Sequence, residues 1–292
     1  MLLHYKLLTN HSGSNGFDWE GFDFDTCDSH KEGIYVWAVS SIICFVFGFP
    51  ASIAILWELL KAHRRGIPLK PNDFFMLNLS AMDTVFFVFM VPGVCNHLIW
   101  HIWVFEAIWN AFFALNICGR PLMMACICLD CYLAVVHPII YHKKKSLTPR
   151  VVMAGIVWTL TVATGIAYSL SRDLYFTMFP SVPFMIAIAI IVVCDSFILH
   201  TLIRSDPGRK NIHAQKQRAI QTLINSLVIA AISYVPPVIM SIFGKHLFAN
   251  FTIYMCFVAV PITITSTLGS AVMPLLYLNN LGKLDRFKLC KS

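Results

Sequence analysis

The stretch from residue 34 to residue 60 reads IYVWAVSSIICFVFGFPASIAILWELL, and Glu58 is its one charged residue. Because a helix needs about 20 mostly apolar residues to cross the hydrocarbon core of a bilayer, this stretch is long enough to span a membrane. Six further stretches of the same kind follow, at residues 74–99, 107–136, 151–170, 179–203, 219–243 and 251–278. None shows the alternating pattern of about ten residues that marks the strands of a membrane barrel. We therefore predict an all-α fold, a seven-transmembrane helix bundle.

The composition of the chain agrees with a membrane protein. Of its 292 residues, 58% are hydrophobic and 13% are charged, whereas soluble domains carry about 25% charged residues. The mean hydropathy is +0.70. The sequence lacks a glycine-rich phosphate loop, a His-Glu-x-x-His pair and a Gly-x-Ser-x-Gly elbow, which are motifs on which soluble enzymes build their chemistry. We expect no enzymatic activity, no cofactor and no metal site.

The distribution of basic residues predicts the orientation of the bundle, because Lys and Arg accumulate on the cytoplasmic side. Of the 22 Lys and Arg residues, Arg120 lies inside the third predicted helix. Four others lie in the N-terminal tail and in the connections on the same side: Lys6, Lys31, Arg172 and Lys245. All the rest lie on the opposite side. We therefore predict an extracellular tail at 1–33, a transmembrane domain at 34–278 and a short cytoplasmic tail at 279–292. The net charge of +7 favours contact with anionic membrane lipid, and we expect no nucleic-acid partner.

An ion pair is predicted inside the bundle. Asp83 lies ten residues into the second predicted helix from Asp73, and Arg120 lies eleven residues from Cys131 at the inner end of the third. At 1.5 Å per residue these separations are about 15 Å and about 16 Å, so the two charges lie at similar depth. An unpaired charge at mid-bilayer costs at least about 2.5 to 3.5 kcal/mol. We therefore expect Arg120 to point inward and to pair with Asp83.

Three positions in or near the tails are candidates for modification. Asn10 begins the sequon Asn-His-Ser in the extracellular tail, which predicts N-glycosylation. Cys27 lies in the same oxidising compartment. It is either free or bonded to Cys256 or Cys95, because sequence alone does not give connectivity. Cys290, close to the last basic residues, is either a palmitoylation site or a plain tail cysteine.

Five of the predicted helices each contain a distinct short motif or marker residue. These are Asn78-Leu79-Ser80-Ala81-Met82-Asp83 in the second, Asp130-Cys131-Tyr132-Leu133-Ala134-Val135-Val136-His137-Pro138 at the end of the third, Trp158 in the fourth, Tyr234-Val235-Pro236 in the sixth and Pro274-Leu275-Leu276-Tyr277 in the seventh. Together they resemble the rhodopsin-like (class A) G-protein-coupled receptors over nearly the whole chain. Gly48-Phe49-Pro50-Ala51 and the Leu-Ala-Val-Val-His-Pro run are similar to the branch that holds nucleotide, lipid-mediator and protease-activated receptors.

The resemblance implies a plasma-membrane receptor. Such a receptor binds an extracellular small molecule, lipid or peptide, and it engages a heterotrimeric G protein or arrestin at its cytoplasmic face. The family binds a sodium ion with an aspartate of the second helix, a serine of the third and an asparagine before the seventh-helix proline. Here these positions hold Asp83, Arg120 and Met273. The resemblance therefore implies that the Arg120 guanidinium occupies the place of the sodium ion.

The cytoplasmic switch of the family is altered in this chain. Position 131 is Cys131 where the Asp-Arg-Tyr motif has its arginine, and a thiol cannot make a forked, permanently charged array of hydrogen bonds. The neighbouring Asp130 and Tyr132 remain, as do Pro274 and Tyr277 of the seventh helix. We expect a modified switch with weakened or atypical G-protein coupling.

Asp195 stands where the fifth-helix pattern of the family has tyrosine. It requires a cation, for which Lys216 and Arg218 are candidates, or it is a solvated carboxylate at a helix end. The substitution Cys131→Arg is expected to raise signalling, unless Asp195 captures the new arginine and holds the receptor inactive.

The outer face also departs from the family, which ties the third helix to the second extracellular loop by a disulfide. The third-helix position here is Glu106, and the stretch between Leu170 and Phe179 contains no cysteine. Related receptors often link the N-terminal tail to the region before the seventh helix. The resemblance therefore favours Cys256 as the partner of Cys27.

The resemblance places a ligand pocket among the outer halves of the third, fifth, sixth and seventh helices. Its expected lining residues, carried over by spacing from the motifs, are Phe113, Ile117, Tyr234, Pro237, Ser241, Thr263 and Thr267. They form an apolar set with hydroxyls for orientation, as small-molecule pockets do, although core packing explains each one singly. Two functions follow: a ligand-sensing receptor with an atypical switch, or a receptor-shaped binding, decoy or scaffold protein that does not signal through G proteins.

Overall fold

The computed structural model describes residues 31–66, 71–137, 139, 141, 147–170, 181–204, 227–240, 242–243, 256 and 260–280. Within these residues the chain is almost entirely helical and has no β-strand. The helices are α1 (Lys31–Arg64), α2 (Pro71–Cys95), α3 (Trp103–Ala114), α4 (Arg120–Val136), α5 (Thr148–Leu170), α6 (Ser181–Arg204), α7 (Leu227–Met240) and α8 (Val260–Asn280).

Five of the described helical segments are long and apolar enough to cross a membrane, and they correspond to the first five predicted spans. The third of them runs without a break from Trp103 to Val136, so that α3 and α4 form one span. The helices α7 and α8 correspond to the sixth and seventh predicted spans. The prediction of an all-α transmembrane bundle is confirmed.

The span formed by α3 and α4 lies at the centre of the bundle. Of its most apolar stretch, 78% is buried, against 28% for α5. The α3 half packs on α5, the α4 half packs on α6, and α1 packs on α2 and α8. Apolar side chains on the outside of the bundle, such as Val39, Ile43 and Phe47 on α1, are exposed at four-residue spacing. This is the arrangement expected when lipid surrounds the helices.

The central span changes its helical winding in the middle. Residues Leu115–Gly119 form a π-helical turn between α3 and α4, and all five residues are buried. A second π-helical turn, Asn96–Trp100, continues α2 at its outer end. Such turns insert an extra residue into a helix and are frequent at functional sites. The turn at Leu115–Gly119 directly precedes Arg120.

Gly165 allows α5 to approach α3 closely. A Cβ atom built on Gly165 would lie 2.5 Å from the backbone carbonyl oxygen of Ala111. A backbone atom cannot relieve this clash by changing rotamer, as a side chain could. Gly155, on the same helix, has nothing within 4 Å of such a Cβ atom. The two glycines therefore form a matched pair for testing this contact.

We expect Gly165→Ala to lower the free energy of unfolding by about 1 to 3 kcal/mol, the cost of overpacking a close-packed interior. Gly155→Ala is expected to leave stability unchanged or to raise it by up to about 1 kcal/mol, because alanine favours a helix over glycine. Thermal unfolding of the detergent-purified variants measures both effects. Equal melting temperatures for the two variants would show that α3 and α5 separate at little cost.

Candidate receptor core and cytoplasmic face

The structure brings Asp83 and Arg120 together in the middle of the bundle. One guanidinium nitrogen of Arg120, Nη1, donates to both carboxylate oxygens of Asp83, at 2.5 Å and 2.6 Å. Its second terminal nitrogen, Nη2, donates to the backbone carbonyl of Gly269 on α8, at 2.5 Å. Arg120 is 0% exposed and Asp83 is 2% exposed. The charge pair thus links α2, the central span and α8 without contact with solvent.

A group of uncharged polar side chains extends this link along α8. The Asn116 side chain donates to Ser266 Oγ at 3.2 Å, and the Ser270 hydroxyl donates to Asn116 Oδ1 at 3.3 Å. All three residues are buried. Asn116 escaped the sequence analysis, although an amide in the middle of an apolar span signals a partner on a neighbouring helix.

Most of the expected pocket residues lie in the packed core. Phe113 is buried against the rings of Phe86 and Trp109, with centroids 6.2 Å and 5.5 Å away. The Tyr234 ring packs on Phe184 at 5.4 Å, and its buried hydroxyl interacts with the Arg120 guanidinium.

The remaining pocket candidates are placed as follows. Ile117 is buried in the π-helical turn, Thr267 is buried on α8 with its hydroxyl 3.4 Å from the Asn116 amide, Pro237 and Thr263 are half-buried, and Ser241 lies outside the described residues. The structure thus supports core packing for several of these residues.

At the end of the central span that is predicted to face the cytoplasm, Asp130 is held by two side chains. Arg150 Nε donates to Asp130 Oδ1 at 2.7 Å, and the Tyr141 hydroxyl donates to Asp130 Oδ2 at 3.2 Å. The Arg150 guanidinium also lies over the Tyr141 ring, 5.0 Å from its centroid. Burial and the neighbouring Asp130 raise the pKa of the Tyr141 hydroxyl, so it stays protonated and donates at neutral pH.

Arg150 was counted in the sequence as a loop cation, but the structure buries it in this ion pair. The predicted fourth span begins at residue 151, which leaves Arg150 in the preceding loop. Arg150 lies in the first turn of α5, where a cation opposes the positive end of the helix dipole.

Next to Asp130, the side chains of Cys131 and Asp195 interact electrostatically where α4 packs on α6. Cys131 is a half-buried free thiol. Asp195 is 3% exposed, and its Oδ2 has no hydrogen-bond partner among the described residues. The interpretation of Asp195 as a solvated carboxylate is therefore wrong. Lys216 and Arg218, the candidate cations, lie outside the described residues.

The other switch residues contact different neighbours. The Tyr277 hydroxyl on α8 donates to Asp73 Oδ1 at the inner end of α2, at 2.9 Å. The Tyr132 hydroxyl lies 3.3 Å from His137 Nε2. Pro274 is buried within α8, where it interrupts the backbone hydrogen bonding of the helix. Tyr277 thus joins the inner ends of α2 and α8.

On the outer side, Glu106 is part of a noncovalent clasp. The Asn96 side chain donates to Glu106 Oε2 at 3.2 Å and accepts from the backbone N–H of Ile102 at 3.0 Å. Between them, His101 adopts a left-handed backbone with φ of 54°, and its N–H donates to the Asn96 carbonyl. The clasp joins α2 to the start of α3 at the position where the family has its cysteine.

The cysteines near the outer face differ in state. Cys95 is a free thiol, so the alternative pairing of Cys27 with Cys95 is not supported. Cys256 is disulfide-bonded, and its partner lies outside the described residues. Asn10, Cys27 and Cys290 also lie outside them.

In the described part of the chain no group of three or more His, Cys, Asp or Glu side chains is arranged to hold a metal ion.

Comparison with known proteins agrees with this architecture. A model of the family described as 7 transmembrane receptor (rhodopsin family) matches residues 52–177. Proteinase-activated receptor 3 of Rattus norvegicus is 25% identical over 269 residues, which cover 81% of this chain and 70% of that receptor. Lysophosphatidic acid receptor 5 of Bos taurus is 25% identical over 243 residues, 72% of this chain and 64% of that receptor.

A third relative matches over a shorter region. Proteinase-activated receptor 3 of Homo sapiens is 29% identical over 145 residues, 48% of this chain and 38% of that receptor. Together with the helical bundle, these similarities support a rhodopsin-like (class A) G-protein-coupled receptor. The apolar helices and these similarities indicate a multi-pass membrane receptor, and the relatives are named as receptors.

Proposed function

We propose that the chain is a cell-surface receptor for an extracellular ligand and that its coupling to G proteins is weakened or atypical. The observation that carries this proposal is the cytoplasmic end of the central span. A thiol occupies position 131, beside the buried carboxylate of Asp195, and the carboxylate of Asp130 is engaged by Arg150 instead. The forked cation that the family presents to its transducer is therefore missing from this position.

The ligand is a small molecule, lipid or peptide. The relatives are named for proteinases, chemerin and lysophosphatidic acid, and one is named a purinoceptor. The proposed binding region is the outer half of the bundle, where Phe113 and Tyr234 supply aromatic surface and Thr267 supplies a hydroxyl. Heterotrimeric G protein or arrestin is the proposed cytoplasmic partner.

A screen of transducer recruitment tests this proposal. The full chain is expressed with a panel of G proteins and arrestins, and basal and ligand-driven recruitment are measured with nucleotides, lysophospholipids and proteinases as probes. We expect a weak response from at least one transducer above cells that lack the receptor. Binding of a probe with no recruitment of any G protein or arrestin would favour the alternative, a decoy or scaffold protein.

We also propose that Cys27 in the N-terminal tail is the partner of Cys256. The sequence contains ten cysteines; seven in the described residues form no disulfide, and Cys256 is disulfide-bonded. This leaves Cys27 and Cys290, and only Cys27 lies on the predicted extracellular side.

Peptide mapping without reduction is expected to find Cys27 joined to Cys256, because both lie on the oxidising side of the membrane. Cys27→Ser is expected to make Cys256 available to alkylation, whereas the control Cys95→Ser is not. If Cys256 of the native protein is alkylated before reduction, the pairing is wrong.

A further inference from the structure

The described residues place one strong ion pair at the cytoplasmic face, between Arg150 and Asp130. Their side chains are 7% and 10% exposed, and the Nε to Oδ1 distance is 2.7 Å. Hydrogen bonds between charged groups are about twice as strong as those between neutral groups, and solvent screens this pair only weakly because both partners are buried. The pair joins the inner end of α4 to the first turn of α5.

The same ion pair holds Tyr141, a described residue between α4 and α5. Tyr141 donates to the second oxygen of Asp130 and lies under the Arg150 guanidinium. The Tyr141 backbone N–H donates to the carbonyl of His137, the residue that follows α4, at 3.0 Å. Arg150 therefore fixes both the carboxylate of Asp130 and the ring of Tyr141.

We infer that Arg150 is a positioning residue, which sets the geometry of the cytoplasmic face from α5 in a chain that lacks an arginine at position 131. The inference rests on the proposed function, since it assigns Arg150 to the face that engages the transducer. With Asp130 and Tyr141, Arg150 forms a clamp that docks Tyr141 on the central span and keeps that face in its resting form.

Amide hydrogen exchange of the purified full-length receptor tests the clamp without any ligand or transducer. Arg150→Gln is expected to speed exchange of the Tyr141 amide about tenfold, the effect of losing one charge-assisted hydrogen bond. Asp130→Asn is expected to act similarly, and the double variant is expected to exchange no faster than either single variant. Arg150→Lys keeps the charge but loses the fork, so its Tyr141 amide is expected to exchange at a rate between those of the native protein and Arg150→Gln.

The matched control is Arg65→Gln, which removes an exposed cation at the cytoplasmic end of α1 and is expected to leave the Tyr141 amide unaffected. Tyr141→Phe removes only the hydroxyl and keeps the test decisive if Arg150→Gln does not accumulate in cells. Unchanged exchange in Tyr141→Phe and Arg150→Lys, or fully additive effects of the Arg150 and Asp130 changes, would overturn the clamp.

Transducer recruitment separates the clamp from the proposed function. If the face is held in a resting form, Arg150→Gln and Asp130→Asn raise basal recruitment to the same extent, which a purely structural role of Arg150 would not do. Faster exchange with no recruitment in any variant would retain Arg150 as the residue that positions Tyr141 and would reject signalling through G proteins or arrestin. Faster exchange with lowered recruitment would overturn its role in the resting form.

Discussion

Replacing Arg120 with methionine is expected to remove most of the receptor from the cell surface. The substitution leaves the Asp83 carboxylate, 2% exposed, without its cation in the middle of the bilayer, and it also takes a donor from the Gly269 carbonyl. Removing one partner of a buried ion pair costs about 3 to 5 kcal/mol, which is a large part of the stability of an ordinary protein. Surface expression and thermal stability in detergent measure the effect.

The double variant Asp83→Asn with Arg120→Met is expected to recover much of the expression, because neither residue is then a buried unpaired charge. Arg65→Met, at an exposed site directly after α1, provides the control for the loss of one positive charge. Poor expression of the double variant, equal to that of the single variants, would contradict the importance of the pair. A related expectation is that ligand binding does not change when sodium is replaced by choline, since the guanidinium occupies the proposed ion position.

Introducing arginine at position 131 is expected to reduce signalling and not to restore it. Both oxygens of Asp130 are already engaged, by Arg150 and Tyr141, whereas Asp195 Oδ2 has no partner among the described residues. The geometry therefore favours the second of the two outcomes considered from the sequence. The new guanidinium pairs with Asp195 and ties α4 to α6.

The double variant Cys131→Arg with Asp195→Tyr removes the carboxylate with which the new arginine pairs. Nucleotide exchange on the G protein is therefore expected to rise about tenfold over Cys131→Arg alone, which is the value of one charge-assisted contact. Cys131→Ser is the control for size, and Cys131→Lys supplies charge without a fork. Strong signalling by the native chain, with less from both arginine variants, would show that the thiol belongs to a working switch.

The parts of the molecule that could be predicted from the sequence are those that depend on membrane physics. The apolar stretches predicted the helices. The equal depth of Asp83 and Arg120 predicted their ion pair, because two charges in lipid have few other ways to be neutralised. Arg150 could not be assigned in this way, because a basic residue next to a loop also fits the positive-inside pattern. The clasp between Asn96 and Glu106 depends on a left-handed His101, a conformation that residue type alone does not predict.

The π-helical turn at Leu115–Gly119 has a consequence for the evolution of the third span. A π-helical turn holds one more residue than the α-helix it replaces, so a relative with an ordinary helix here would carry a deletion of one residue. The inner half, with Asp130, would then align without change, while positions on the outer side such as Phe113 would shift by one, a rotation of about 100°. Ligand contacts transferred from such a relative by counting would fall on the wrong helical face, and a single gap placed within these five residues would correct them.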